Sequence, residues 1–314
     1  MNFHFSRQVK KNILDILEFP FVLLSGGVFL SFLARYHWFF NLFDQFWLIY
    51  LFVSIILTLL FMLLRKNLQA FFSLLISIIC ASVFYRIDGC SSLRPSSNFK
   101  IYYHNINSSN SSLSDLSSII KKSDAEIVTL VESTTESEKI IFHDLNNYTH
   151  RFSIARRDNF GFLILSKVNF NLEEVHEHIG ISVYIKFFVK KYDLKIYLLH
   201  LPPPLWREAW ETQNEALSLI ANEITKNKKQ SFLILGDFNM TNSSSQFQDF
   251  YRQLNLKLYT QELFTQGTWP SFIPKYLSLP IDHVLSNRNF EMKIGPSVGS
   301  DHRSIIVNIS PFSN

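Results

Sequence analysis

Six places in this 314-residue chain set a carboxylate, an amide or an imidazole at the point where an apolar run stops or starts. Asn105 follows KIYYH, Glu132 follows IVTLV, and His200 follows IYLL. Asp237 and Asn239 end LILGDFN; Asp282 and His283 precede VLS; Asp301 and His302 precede SIIVNI. Asp, Glu and Asn offer the hard oxygen atoms that magnesium or manganese prefers. His and Asp offer groups that can take or give a proton near neutrality. Together these types could bind a hard metal ion and carry out acid–base work. Taken singly they are ordinary: a strand-end Asp or Asn is commonly a turn former, and a lone His commonly packs. The joint occurrence carries the functional reading.

The elements that must position these residues are short. Val183, Ile185, Phe187 and Val189 alternate with more polar neighbours, the two-residue period of a half-buried strand. Lys190-Lys191-Tyr192-Asp193 turns the chain, and Leu194 to Leu199 returns as a hairpin partner. Leu113, Leu116, Ile119 and Ile120 recur at helical spacing, and Trp210, Leu217, Ile220 and Ile224 mark a longer helix after three prolines. Lys226, Lys228 and Lys229 sit at its end, where the helix dipole favours cations. Strands, a hairpin and interspersed helices give an α/β class of α+β or layered form.

The front of the chain is different. Three apolar runs, about residues 17–33, 46–64 and 68–85, each approach the ~20 residues needed to cross a bilayer. Residues 1–86 therefore read as a three-span transmembrane anchor, 87–98 as a linker with Gly89, Pro95 and several serines, and 99–314 as the catalytic domain. Arg7, Lys10 and Lys11 precede the first run, and Arg65 and Lys66 separate the second from the third, whereas the first loop has only Arg35. The positive-inside rule then sets the N-terminus in the cytoplasm and the domain outside it, in the cell membrane as a multi-pass protein. Cys80 and Cys90 both precede the domain, which excludes a disulfide framework within it. Residues 95–314 carry 22 Lys and Arg against 22 Asp and Glu, so no net positive charge draws the domain to a nucleic-acid backbone.

HNIN, LVES, LLHLPPP, GDFNM, PIDHVLS and GSDHRSIIV, in this order over residues 99–309, resemble the endonuclease/exonuclease/phosphatase superfamily, the DNase I-like fold. The resemblance implies a four-layer α-β-β-α sandwich with its site at one edge. It implies Asn105, Glu132 and Asp301 as holders of magnesium or manganese. It implies Asp237 as the group that orients or deprotonates water, with Asn239 beside it on phosphate or water. It pairs His302 with Asp282 against the phosphate, and gives His200 the transition state or leaving group. His283 reads as structural, Trp269 in GTWP as a packing or rim residue, and Arg207 as a solvated helix start. The function this supports is a membrane-anchored phosphoesterase acting on a membrane-proximal, lipid-linked or small phosphoester. A nuclease acting on DNA or RNA is the alternative, and a non-catalytic module is a third. No obligate protein partner is implied.

Overall fold

The structure, a computed structural model, describes residues 7–85, 99–254 and 267–310. The expected linker and Cys90 lie outside the described residues. The chain divides into two compact units, one built on the N-terminal helices with Pro204–Arg207 and Ser243–Gln248, the other on the rest.

The first unit holds α1 (Arg7–Ser31), the short α2 (Trp38–Asn41), α3 (Trp47–Leu63) and α4 (Asn67–Tyr85). Leu24, Val28, Trp47, Leu57, Phe61 and Cys80 form its core, while Ile16, Phe19, Phe52, Leu59, Phe71 and Ile78 point outward and are exposed. A Cβ on Gly27 would come within 2.8 Å of the Tyr50 hydroxyl, so glycine leaves the room that the end of the Tyr50 side chain fills between α1 and α3. Ser77 Oγ donates to Ser54 Oγ across α4 and α3 at 2.8 Å, a polar contact of the kind that joins helices in lipid. Of the three expected spans, Asn12–Ser31 alone is long and apolar enough to cross. Trp38–Gln45 and Trp47–Leu63 reach that length only as a pair bent by 58°, and Asn67–Val83 is shorter. The reason is the break before Trp47: the 17 residues of α3 rise about 25 Å at about 1.5 Å each, short of ~30 Å of hydrocarbon.

The second unit is a mixed α/β fold with two sheets. In chain order its strands are β1 (Lys100–Asn105), β2 (Ile127–Val131), β3 (His150–Ile154), β4 (Phe162–Ser166), β5 (Asn171–His178) and β6 (Ile181–Val189). They continue with β7 (Leu194–His200), β8 (Phe232–Asp237), β9 (Asp282–Ser286), β10 (Phe290–Ile294) and β11 (Ile305–Ile309). One sheet has the order β10-β11-β1-β2-β4-β3, the other β5-β6-β7-β8-β9. The sheets pack on each other through alternate residues, among them Ile101, Val131, Ile164 and Val307 from the first and Phe187, Ile196, Leu235 and Val284 from the second. Each such side chain, fully buried, is worth about 1.5–3 kcal/mol.

The opposite face of the first sheet (Tyr102, Val128, Leu130, Leu163) is covered by Leu116 and Ile120 of α5 (Leu113–Ser123) and Ile141 of α6 (Thr135–Asp144). On the outer face of the second sheet, Lys186 and Lys195 both bind Glu223 of α7 (Arg207–Lys226), at 2.9 and 3.0 Å. The helix α8 (Ser245–Leu254) follows β8.

Strand direction then decides where the polar ends fall. β1 runs parallel to β2 and antiparallel to β11; β7 runs parallel to β8, which is antiparallel to β9. The C-terminal ends of β1, β2, β7 and β8 therefore lie with the N-terminal ends of β9 and β11 on one edge.

Candidate active site

Alternation carries the polar residues into the space between the sheets. Ile101 and Tyr103 face the shared core, so Asn105 does as well; the same period brings His200 after Leu198, Asp237 after Leu235, and Asp282 before Val284 inward. His200, Asp237 and Asp282 are in register across three neighbouring strands. Glu132 needs a different device. Val131 faces inward and a continued strand would turn residue 132 out, but Glu132 has a left-handed φ of 60°. Its carboxylate instead accepts from Asn105 Nδ2 at 2.9 Å and from the Ser108 amide at 3.2 Å. Gly236 has φ 151°, and a Cβ there would meet the Leu199 carbonyl oxygen at 2.1 Å. Glycine in LILGDFN thus permits the close approach of β7 and β8 just before the polar pair.

The centre is Asp237 Oδ2. Asn105 Nδ2 donates to it at 3.0 Å, His302 Nε2 lies 3.7 Å away, and His200 Nε2 lies 3.9 Å away. The other oxygen, Oδ1, accepts the Asn239 backbone amide at 2.8 Å. His302 Nδ1 meets Asp282 Oδ2 at 2.9 Å, and Asp282 Oδ1 accepts from the Tyr103 hydroxyl at 2.7 Å. Tyr103 is on the first sheet and Asp282 on the second, so this bond crosses the core. Asp301 accepts from Asn107 Nδ2 at 2.8 Å and from Trp269 Nε1 at 2.9 Å.

Charge follows from these neighbours. Burial opposes a charged His302, yet the Asp282 and Asp237 carboxylates hold its pKa up at about 10. Burial likewise opposes a charged Asp282, but the His302 charge and hydrogen bond keep it below the ordinary carboxylate range. The result is an imidazolium–carboxylate pair whose Nε2 faces Asn105 Nδ2 and Asp237 Oδ2. Burial raises Asp237, and the Asp282 charge adds to that. His200 is pushed down to about 3, by burial first and then by the His302 charge, and is neutral. Burial raises Glu132, whereas the bonds from Asn107 and Trp269 outweigh burial at Asp301 and lower it.

Asn105, Glu132, His200, Asp237, Asp282 and His302 are thus joined in one constellation, and Asp301 acts on Glu132 through its charge. Asn239 donates its side-chain amide to the Leu201 carbonyl at 2.8 Å and so braces the turn that holds Asp237. His283 is buried with Nε2 donating to the Met240 carbonyl at 2.8 Å, a structural position. The ligand atoms of Asp237, Asp282 and His302 lie within 4.8 Å of one another, a grouping different from Asn105, Glu132 and Asp301. Within that trio, Asp282 Oδ2 and His302 Nδ1 are already joined by a hydrogen bond. Sequence reading passed over Tyr103, Asn107, Ser108 and Phe160, whose ring lies 5.0 Å from that of His200. Asn107 was visible as the second amide of HNIN; Tyr103 carried no signal beyond its inward phase in β1.

A sequence model described as the Endonuclease/Exonuclease/phosphatase family matches residues 102–302. No curated protein matches the chain in sequence. Among solved structures it is similar to an AP endonuclease from Archaeoglobus fulgidus, with TM-score 0.55 and 14% identity over 68% of this chain and 99% of that one. It is similar to a 3′ phosphatase from Neisseria bound to a product DNA hairpin, with TM-score 0.54 and 16% identity over 68% and 100%. A mannosyl-6-phosphatase from Bacteroides thetaiotaomicron gives TM-score 0.51 and 14% identity over 68% and 99%. At these identities the structures speak for a shared fold, and the family match spans more than half of the chain. Fold, strand-edge site and family match lead to one conclusion: the chain belongs to the endonuclease/exonuclease/phosphatase family.

Proposed function

We propose that the chain is a membrane-anchored, divalent-metal-dependent hydrolase of phosphoesters. The observation that carries this is the meeting at Asp237 Oδ2 of Asn105 from β1, His200 from β7 and His302 from the bend before β11. The residues suit a hard cation. Glu132 and Asp301 offer carboxylate oxygens whose hydrogen bonds come from neutral amide and indole groups. Four carboxylates (Glu132, Asp237, Asp282 and Asp301) share one imidazolium, His302, so the set is short of positive charge. Asn105, Glu132 and Asp301 would hold magnesium or manganese, which when bound would neutralise charge on the phosphate oxygens. Asp237, its proton affinity raised by burial, takes the proton of the attacking water. His302 donates from Nε2 to a phosphate oxygen, and Asp282 fixes its orientation and charge. Neutral His200 stands on the other side of Asp237 and gives a hydrogen bond to the leaving oxygen.

The substrate we favour is a phosphoester presented at a membrane, because the domain is tied to apolar helices and is itself uncharged overall. Cleavage of DNA or RNA is the second reading, supported by structural neighbours solved as an AP endonuclease and with a DNA hairpin. The test is turnover by the detergent-solubilised full chain with magnesium on plasmid DNA, RNA, a soluble phosphodiester and phospholipid vesicles. Hydrolysis of vesicle lipid or of the soluble ester supports the first reading; hydrolysis of nucleic acid alone replaces it with the second; none on any substrate removes the enzymatic reading. For topology we propose three crossings from an N-terminus in the cytoplasm, α1 at full length and the shorter α3 and α4 through a locally thinned bilayer. Alkaline phosphatase fused after residue 95 should then be active, and an inactive fusion would reverse the orientation.

A further inference from the structure

One stretch of the second unit exposes large apolar side chains beside the site. In Pro270-Ser271-Phe272-Ile273-Pro274-Lys275-Tyr276-Leu277-Ser278, Phe272 is 83% exposed, Tyr276 60% and Leu277 61%. Elsewhere on the unit, exposed Leu172 lies near the start of the extended β5, Ile179 just past its far end, and Leu219 on α7. Exposed apolar groups clustered on one loop are the unusual case.

The loop is a built object. Arg303 Nη1 donates to the Gly267 carbonyl at 3.2 Å and to Ser278 Oγ at 2.9 Å, and its Nη2 donates to the carbonyls of Ser271 and Ile273 at 2.8 and 2.5 Å. Ser278 Oγ donates to the Pro270 carbonyl at 2.9 Å, and the Leu277 amide to the Pro274 carbonyl at 2.8 Å. At the loop's root the Ser271 amide donates to the Asp301 carbonyl at 2.7 Å, and Trp269 Nε1 holds the Asp301 carboxylate. The frame therefore presents Phe272, Tyr276 and Leu277 outward at a fixed place next to Asp301.

Composition names the occupant. Phenylalanine, tyrosine and leucine with a lysine among them match the interface of a bilayer, where aromatic rings sit at headgroup depth and a lysine keeps its charge in water. Lys275 Nζ lies 5.5 Å from the centre of the Tyr276 ring, close enough to share that level. A bilayer is also the phase to which the chain carries its own attachment, the apolar helix Asn12–Ser31, and tethering raises the effective concentration of a weak lipid-binding loop. We propose that the loop at residues 270–278 docks into the headgroup layer of a membrane and turns the mouth of the site toward lipid. This goes beyond the catalytic reading and is tested without turnover.

The experiment uses the full chain with Cys90→Ser; Cys80 is fully buried and stays. Phe272→Cys, Leu277→Cys and Lys228→Cys are each labelled with bimane and reconstituted into vesicles of phosphatidylethanolamine with a minor fraction of phosphatidylglycerol. Part of the lipid carries a headgroup nitroxide. Lys228 follows α7 and precedes β8, on the edge away from the site, and serves as the reference. Several-fold stronger quenching at both 272 and 277 than at 228 is expected. Equal quenching at all three positions, weak or strong, overturns the proposal. Pyrene excimers at 272 without lipid quenching overturn it in favour of contact with a second copy. Both probe positions are exposed, so neither substitution empties a core.

Discussion

Asp237 and Tyr103 show two kinds of polar residue in one site. In the proposed reaction Asp237 takes the proton of the attacking water, and Asp237→Ala should lower turnover about 10²–10⁴-fold, the usual share of a positioned acid or base. The variant should keep its circular dichroism; full activity would remove Asp237 from the role given to it. Tyr103 acts through another residue. Tyr103→Phe leaves Asp282 Oδ1 buried without its donor, which should cost about 1–3 kcal/mol, read as a lower thermal unfolding midpoint of the solubilised chain. An unchanged midpoint would mean that water or another donor takes the place of the hydroxyl. The contrast also explains what could be read in the sequence. Asn105, Glu132, His200, Asp237, Asp282 and His302 are polar where an apolar run changes, so type and place identify them. Tyr103 lies inside such a run, and Trp269 looks like packing; their partners are 179 and 32 residues away along the chain, a separation no local pattern encodes.

At the scale of elements, the strands that fill the shared core were legible because their inward residues are uniformly apolar. The edge strands β3 and β5 were not. β5 reads NLEEVHEH, and its side chains are exposed or half-buried throughout; β3, His150–Ile154, is also an edge strand without a fully buried residue. Strands as exposed as these bury too little to leave an apolar period, unlike the edge strand β9, which is buried throughout. α6 had a usable signal that went unread: Thr134 and Ser137 form a reciprocal cap, each side chain bonded to the other's backbone. Gly236 offers a test at this scale. Gly236→Ala should cost about 1–3 kcal/mol for the backbone alone, and overlap with the Leu199 carbonyl adds to it. Hydrogen exchange should show β7 and β8 opening first; unchanged protection there would refute the close-approach argument.

At the scale of the whole molecule, metal and membrane are separable. Chelation with EDTA should abolish turnover and magnesium or manganese should restore it; activity that survives exhaustive chelation would refute the ligand reading of Glu132 and Asp301. Alkaline carbonate should leave the chain in the membrane pellet, since α1 alone has the length and hydropathy to cross; release into the supernatant would refute the anchor. Three apolar runs were evident in sequence, and the second, residues 46–64, matches α3 (Trp47–Leu63) within a residue at each end, its start marked by the polar Asn41, Asp44 and Gln45. The Tyr103–Asp282 bond, which ties one sheet to the other, has a further consequence. Catalysis should report on how tightly the two halves are clamped together. In rising urea, hydrolysis ought to vanish while far-ultraviolet ellipticity is still intact, and neither half, expressed by itself, could act as an enzyme.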